Sequence, residues 1–335
     1  MMKPTAHTEG ENSVASFPEP SAFSEQSATL ALYDEFQERV QSQRADVGSW
    51  IAAVAPGGET LAEQLASLDI LKSWLDAFRP LPRAVVEELG KFYTVSLTYH
   101  SNAIEGNTLT QSETEMVLSQ GVTVGGKTLV EHLEVIGHRD AMEYMEALSK
   151  LSTPIGEREI KDLHSLILRP VDQATGQNEA GAYRTLDVRA AGTGHTYPPH
   201  YQVRELMEGF AAWLQSDQAK SLHPVEYASE AHFRFVSIHP FRDGNGRSAR
   251  LLMNLCLLRS GYPITVIDNA QRANYIEALV YGQGQEGDAS RLTGIVAQAC
   301  RASFIEYLRL LSTAGESRGS GGAFYRALLA RQVGA

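Results

Sequence analysis

His239-Pro240-Phe241-Arg242-Asp243-Gly244-Asn245-Gly246-Arg247-Ser248-Ala249-Arg250 is the stretch on which the reading of the whole chain turns. A histidine can take up a proton near neutral pH. A carboxylate four residues on can hold a hard cation such as Mg²⁺. Gly244 and Gly246 allow a tight turn and close backbone approach to a ligand. Successive backbone N–H groups in such a turn make a concave anion site, and the helix expected to follow adds the partial positive charge of its N-terminus. Arg247 and Arg250 lie three residues apart on that helix, so both are expected to face one anion. On chemistry alone, this is a loop that holds a polyphosphate beside a general base and a cation ligand.

At every defined position the stretch matches HPFx(D/E)GNGRxxR, so the chain resembles the Fic family. The resemblance spans roughly residues 99–311 and implies a mainly α fold, a Fic-type helical bundle with a short β-hairpin flap over the active-site loop. It also implies the chemistry: AMP transfer from Mg-ATP to a Ser, Thr or Tyr hydroxyl of a target protein, which could be another copy of the chain. By motif position, His239 is the implied base and Asp243 the ligand of Mg²⁺ (or Mn²⁺). Gly244, Asn245 and Gly246 are the implied phosphate cradle, with Asn245 adding an amide donor. Arg247 and Arg250 neutralise the outer phosphates, Phe241 packs inward, and Ser248 and Ala249 complete the nucleotide-binding run.

Composition sets wider bounds. The 335 residues suffice for one large domain or two ordinary ones, and a hydrophobic content of 43% is ample for a core. A net charge of −11, from 29 basic and 40 acidic residues, argues against generic nucleic-acid or anionic-membrane binding. Cys256 and Cys300 fall in apolar helical patterns without metal-like spacing and read as core thiols, which favours a reducing, cytoplasmic setting. No run is long and apolar enough to span a membrane, and the N-terminus lacks a signal-peptide core.

Residues 1–28, rich in Ser, Glu, Pro and Thr, are expected to be disordered. Residues 29–98 carry helical periodicity and are expected to form an N-terminal helical layer, with Pro80 and Pro82 as stops. The Fic core is placed at 99–312, followed at 313–335 by a flexible link and a short helical tail. Within the core a helix from Arg83 ends near Ile104 at Gly106, and Thr110 to Glu113 reads as a capping box. Helices are expected over 131–150 and 157–168, with residues 170–200 breaking the rhythm. His132, His138, His164, His223 and His232 read as structural. Leu251 to Leu258 is apolar almost all round, which predicts a central buried helix.

Further expectations rest on the family resemblance. Ser101 to Asn107 (Ser101, Glu105, Gly106) resembles the inhibitory motif (S/T)xxxE(G/N), which implies a Glu105–Arg250 pair that displaces the terminal phosphate. The same glutamate could position water for the reverse reaction, removal of AMP. The flap is expected within 170–200, with Thr193, Gly194, His195 and Thr196 near the nucleotide. Tyr275, Ile276 and Gln283 are the expected adenine side. Competing readings are transfer of another phosphate-containing group (phosphoryl, UMP or phosphocholine), of which phosphoryl transfer is disfavoured by the intact Gly246, and a silent binding module. A homodimer is left open.

Overall fold

Short sequence signals set where the helices start and stop. The computed structural model describes residues 60–77, 79, 81, 83–189, 195–285 and 287–316, all within the unit Gly48–Ala335. Helices α1 (Leu61–Ala77) and α2 (Arg83–Ile104) lead into α3 (Gln111–Gln120), which opens on a capping box between Thr110 and Glu113 and closes on Gly121 at φ 64°. A second capping box, Thr128 with Glu131, opens α4 (Leu129–Ser149). Then come α5 (Glu157–Thr175), α6 (Val203–Gln215) and the one-turn α7 (Asp217–Lys220). Pro224 occupies the first turn of α8 (Pro224–Ile238), where its missing N–H costs nothing. The bundle is completed by α9 (Asn245–Arg259), α10 (Arg272–Gly284) and α11 (Ser290–Glu316).

The expected central helix is α9. Apart from Gly246, every residue from Asn245 to Leu257 is buried, because α8, α4, α5 and α2 all pack against it. Each large apolar side chain buried this way contributes about 1.5–3 kcal/mol, so the first turn of α9 rides on a well-anchored shaft. The packing of α4 on α5 is close enough to require a glycine: a Cβ on Gly137 would lie 2.3 Å from the Ile167 carbonyl oxygen. The thiols of Cys256 and Cys300 are free and buried, as expected.

Three expectations are revised or bounded. Helix α5 runs through Pro170 to Thr175 rather than ending near 168. Proline removes one in-helix donor, toward the Leu166 carbonyl, and Gly137 of α4 approaches that same carbonyl, 2.9 Å from its would-be Cβ. Helix α11 continues to Glu316, past the boundary at 313. In the 170–200 region the described residues show one antiparallel bridge, Arg189 to Thr196, rather than a strand ladder. Residues 190–194, between the bridge partners, lie outside the described residues, as do the expected disordered segment at 1–28, residues 29–59 and the tail from 317. Among the described residues no helix is long and apolar enough to cross a membrane.

Candidate active site

His239 caps the C-terminus of α8 with a left-handed backbone, φ 50° and ψ 60°. Among the described residues it is the only non-glycine with positive φ. Such a conformation costs of order 1–3 kcal/mol and persists where the surroundings impose it. Here they do. The His239 N–H donates to the Phe235 carbonyl, the His239 carbonyl accepts from Arg184 Nε at 2.8 Å, and the ring stacks on Tyr197 at 3.9 Å. Nδ1 lies 3.3 Å from the Val236 carbonyl. Donation there places the remaining lone pair on Nε2, the arrangement a general base needs. Burial pushes the imidazole pKa down to about 4, against the opposing pull of the Val236 carbonyl, so the ring is neutral at physiological pH.

The loop after His239 is held from both sides. The side-chain oxygen of Asn245 accepts from Phe241 N–H at 3.0 Å and its amide donates to the Phe241 carbonyl at 2.8 Å. The donor expected to face a phosphate is therefore spent, at least in one of its hydrogens, on closing the turn. His164, on α5, stacks on Phe241 at 3.6 Å and 7°. Its Nε2 lies 2.9 Å from the Asp243 carbonyl, and its Nδ1 accepts from Gly181 N–H at 2.9 Å. Both ring nitrogens are used. This histidine is structural, as expected, but what it supports is the motif loop itself.

Gly244, at φ 75°, starts α9. The first-turn amides of a helix lack in-helix acceptors and point outward, giving an anion site at Asn245, Gly246 and Arg247. The two arginines have separate carboxylate partners, Glu134 and Asp243 for Arg247 and Glu105 for Arg250. Arg247, fully buried, donates to Glu134 at 3.0 Å and to Asp243 at 3.1 Å. Arg250 donates through Nε to Ser101 Oγ at 2.9 Å, and through Nη2 to the Ser101 carbonyl at 2.8 Å and to Glu105 Oε1 at 2.7 Å. Burial works against the Arg250 charge, and Glu105 with Tyr275 more than offsets it, so its pKa is raised. The same Glu105 oxygen would lie 2.1 Å from a Cβ on Gly246. The carboxylate thus sits hard against the first turn of α9, where an anion is best held, and only glycine allows it that close. Gly106, at φ 104°, lets the chain turn away immediately afterwards.

Asp243 presents an exposed carboxylate at the rim, with Oδ1 accepting from Gly244 N–H at 2.6 Å and Oδ2 from Arg247. Among the described residues no cluster of three or more His, Cys, Asp or Glu side chains could hold a metal by itself. One hard carboxylate beside a phosphate site fits Mg²⁺, which takes most of its ligands from phosphate and water.

Other expected residues fall less centrally. Tyr275 is buried, 1% exposed, with its hydroxyl on Arg250 and His232, so it offers no open face to a base. Ile276 and Gln283, half-buried and two turns apart on α10, remain on one side of that helix. Ser248 and Ala249 are buried beneath the loop. His195 and Thr196 lie on the bridge segment beside Tyr197, while Thr193 and Gly194 lie outside the described residues. Tyr197, Arg184, His164 and Glu134 were not singled out for the site. Arg184 ties the bridge segment to the loop: its side chain donates to the His239 and Pro198 carbonyls and its N–H to the Pro240 carbonyl. In sequence each is a lone residue without a spacing signal; only Tyr197, before two prolines, carried a hint.

The Fic/DOC family model matches residues 154–257. The protein adenylyltransferase Fic of Drosophila grimshawi is 38% identical over 251 residues, covering 75% of this chain and 50% of that protein. Its counterpart in Drosophila willistoni is likewise 38% identical. The chain thus spans about half the length of these curated relatives. Among solved structures, Fic-1 from C. elegans superposes with a TM-score of 0.67 at 31% identity, covering 88% of this chain and 84% of that one. A Fic domain-containing signalling protein from Bacteroides thetaiotaomicron gives 0.65 at 27% identity, covering 75% and 97%.

Proposed function

The chain belongs to the Fic/DOC family, and on that premise we propose that it transfers AMP from ATP to a hydroxyl side chain of a protein, with Glu105 as its brake. The observation that carries this reading is one arrangement: a neutral His239 beside the first turn of α9, with Arg250 already held by Glu105 at 2.7 Å. In the forward step the target hydroxyl gives its proton to His239 Nε2. Its oxygen then attacks the α-phosphorus, the bond to the bridging oxygen breaks, and pyrophosphate leaves. The first-turn amides of α9 bind phosphate oxygens. Arg250 exchanges Glu105 for the terminal phosphate, and Arg247 orients Asp243 through their 3.1 Å contact. Asp243 would hold Mg²⁺, which when bound offsets phosphate charge.

The bridge between Arg189 and Thr196 supports reading this segment as a flap that aligns a target segment by strand addition. The stack of Tyr197 on His239 supports this placement, since it couples the flap to the base. Ile276 and Gln283 line the adenine side. A reading of the same site in reverse, removal of AMP from a modified protein, is favoured by one observation: the Glu105 side chain is 37% exposed, so its carboxylate can hold a water. Two free, buried thiols suit a reducing, cytoplasmic setting.

The test is His239→Ala in a Glu105→Gly background, read by intact-protein mass spectrometry of a hydroxyl-bearing target and of the chain itself. Loss of AMP transfer by about 10²–10⁴-fold, with ATP binding kept, is expected for removal of a general base. Undiminished transfer would remove His239 from that role.

A further inference from the structure

Tyr275 was expected on the adenine side, yet it is buried and its hydroxyl joins two other buried groups. The oxygen is 3.3 Å from Arg250 Nη1 and 2.8 Å from His232 Nε2. The Arg250 guanidinium also lies 5.9 Å from the centre of the Tyr275 ring. His232 is fully buried on α8, and its Nδ1 has no hydrogen-bond partner among the described residues.

From this geometry we infer that Tyr275 and His232 are positioning residues that hold Arg250 in its anion-binding pose independently of Glu105, and so set the affinity of the site for terminal phosphates rather than for adenine. The inference rests on the proposed nucleotide reading and deepens it.

The direction of the hydrogen bonds supports the assignment. A guanidinium has only donors, so the Tyr275 oxygen must accept from Arg250. The 2.8 Å contact with His232 Nε2 ties the same oxygen to α8, with the hydroxyl donating when the ring hydrogen is on Nδ1 and accepting when it is on Nε2. Burial and the Arg250 charge keep that ring neutral, lowering its pKa to about 3. In either arrangement the Tyr275 oxygen keeps a lone pair for the guanidinium.

Arg250 has three sets of partners: Ser101 on Nε and Nη2, Tyr275 on Nη1, and Glu105 on Nη2. Departure of Glu105 empties only its own place. Ser101 and the Tyr275–His232 pair remain, so the cation stays aimed at the first turn of α9 and needs no reordering when an anion arrives. That is the difference between a receptor and a loose arginine.

The test uses the full chain carrying Glu105→Gly, with and without Tyr275→Phe, and measures binding of ATP, AMP and inorganic pyrophosphate by calorimetry. Tyr275→Phe keeps the ring and removes only the hydroxyl. A lost hydrogen bond to a buried charge predicts ATP and pyrophosphate binding weakened about tenfold, with AMP unchanged. His232→Gln, which retains an acceptor at the end of the side chain, is expected to fall between parent and Tyr275→Phe, and circular dichroism checks that each variant folds. Equal weakening of ATP and AMP would assign Tyr275 to the base and overturn the inference, as would no change in any ligand. If the parent binds pyrophosphate but not ATP, the nucleotide reading fails while the Tyr275 effect is still read on pyrophosphate. If it binds neither, Arg250 is no anion receptor and the inference fails with it.

Discussion

His239 shows how one residue is prepared by its surroundings. A left-handed backbone turns the ring out of α8, Tyr197 covers one face, and the Val236 carbonyl selects the tautomer. A base with a pKa near 4 stays deprotonated well below neutrality. For Glu105→Gly, kcat/KM is therefore expected to stay level from pH 8 to about 5 and to fall as pH drops through about 4, where His239 takes up a proton. An acid limb near 6.5, the ordinary histidine value, would show that the ring is not held as described. The residues of the motif, and the pairing of Glu105 with Arg250, were legible because each sits at a fixed spacing whose chemistry repeats across a family. His164, Arg184, Tyr197 and the contact of Tyr275 with Arg250 were not. They act through tertiary contacts made across 79, 55, 42 and 25 residues of chain, and no local pattern marks them.

At the scale of elements, caps were the reliable signals. Thr110 with Glu113, Gly106, Pro224 and Gly244 all stand where helices begin or end, because these side chains and φ values answer to the backbone next to them. The end of α5 was placed too early: Pro170 lies inside the helix, tolerated because packing outweighs the lost hydrogen bond, and the glycine that permits that packing lies on another helix. Gly137→Ala tests the point. A Cβ 2.3 Å from a backbone carbonyl cannot be accommodated by a side-chain movement, so α4 and α5 must part. Destabilisation of about 1–3 kcal/mol is expected from such overpacking, read as a lower denaturant midpoint. An unchanged midpoint would mean the two helices are not packed this closely. The Arg189–Thr196 bridge was legible only as an interruption of helical rhythm, since such a pairing depends on residues brought together by the rest of the fold.

Across the whole molecule, buried neutral histidines couple the site to stability. His138 and His232 are held near 3, and His164 and His239 near 4, each chiefly by burial. In the unfolded chain the same rings titrate near 6.5. Between pH 6.5 and about 4.5 the unfolded state thus binds protons that the folded state refuses, so stability must fall as pH falls. Carboxylates held low in the fold, such as Glu131 near 2, begin to act in the same direction only toward the bottom of that window. The melting temperature is expected to decline steadily from pH 7 to 5, and a level profile would show that these rings are not buried and neutral. The same core serves both ends: the helices that exclude water from His138 and His232 are those that fix Arg250.

The central claim is that Glu105 occupies the place of a terminal phosphate in an AMP-transferring site. It is tested most directly by incubating wild type and Glu105→Gly with ATP labelled at the α-phosphate and, separately, at the γ-phosphate. Label on protein from the α-position alone, and about 5–150-fold more of it in Glu105→Gly, is the predicted result, that range being typical of regulatory coupling. Label from the γ-position, or equal α-label in the two proteins, would contradict it.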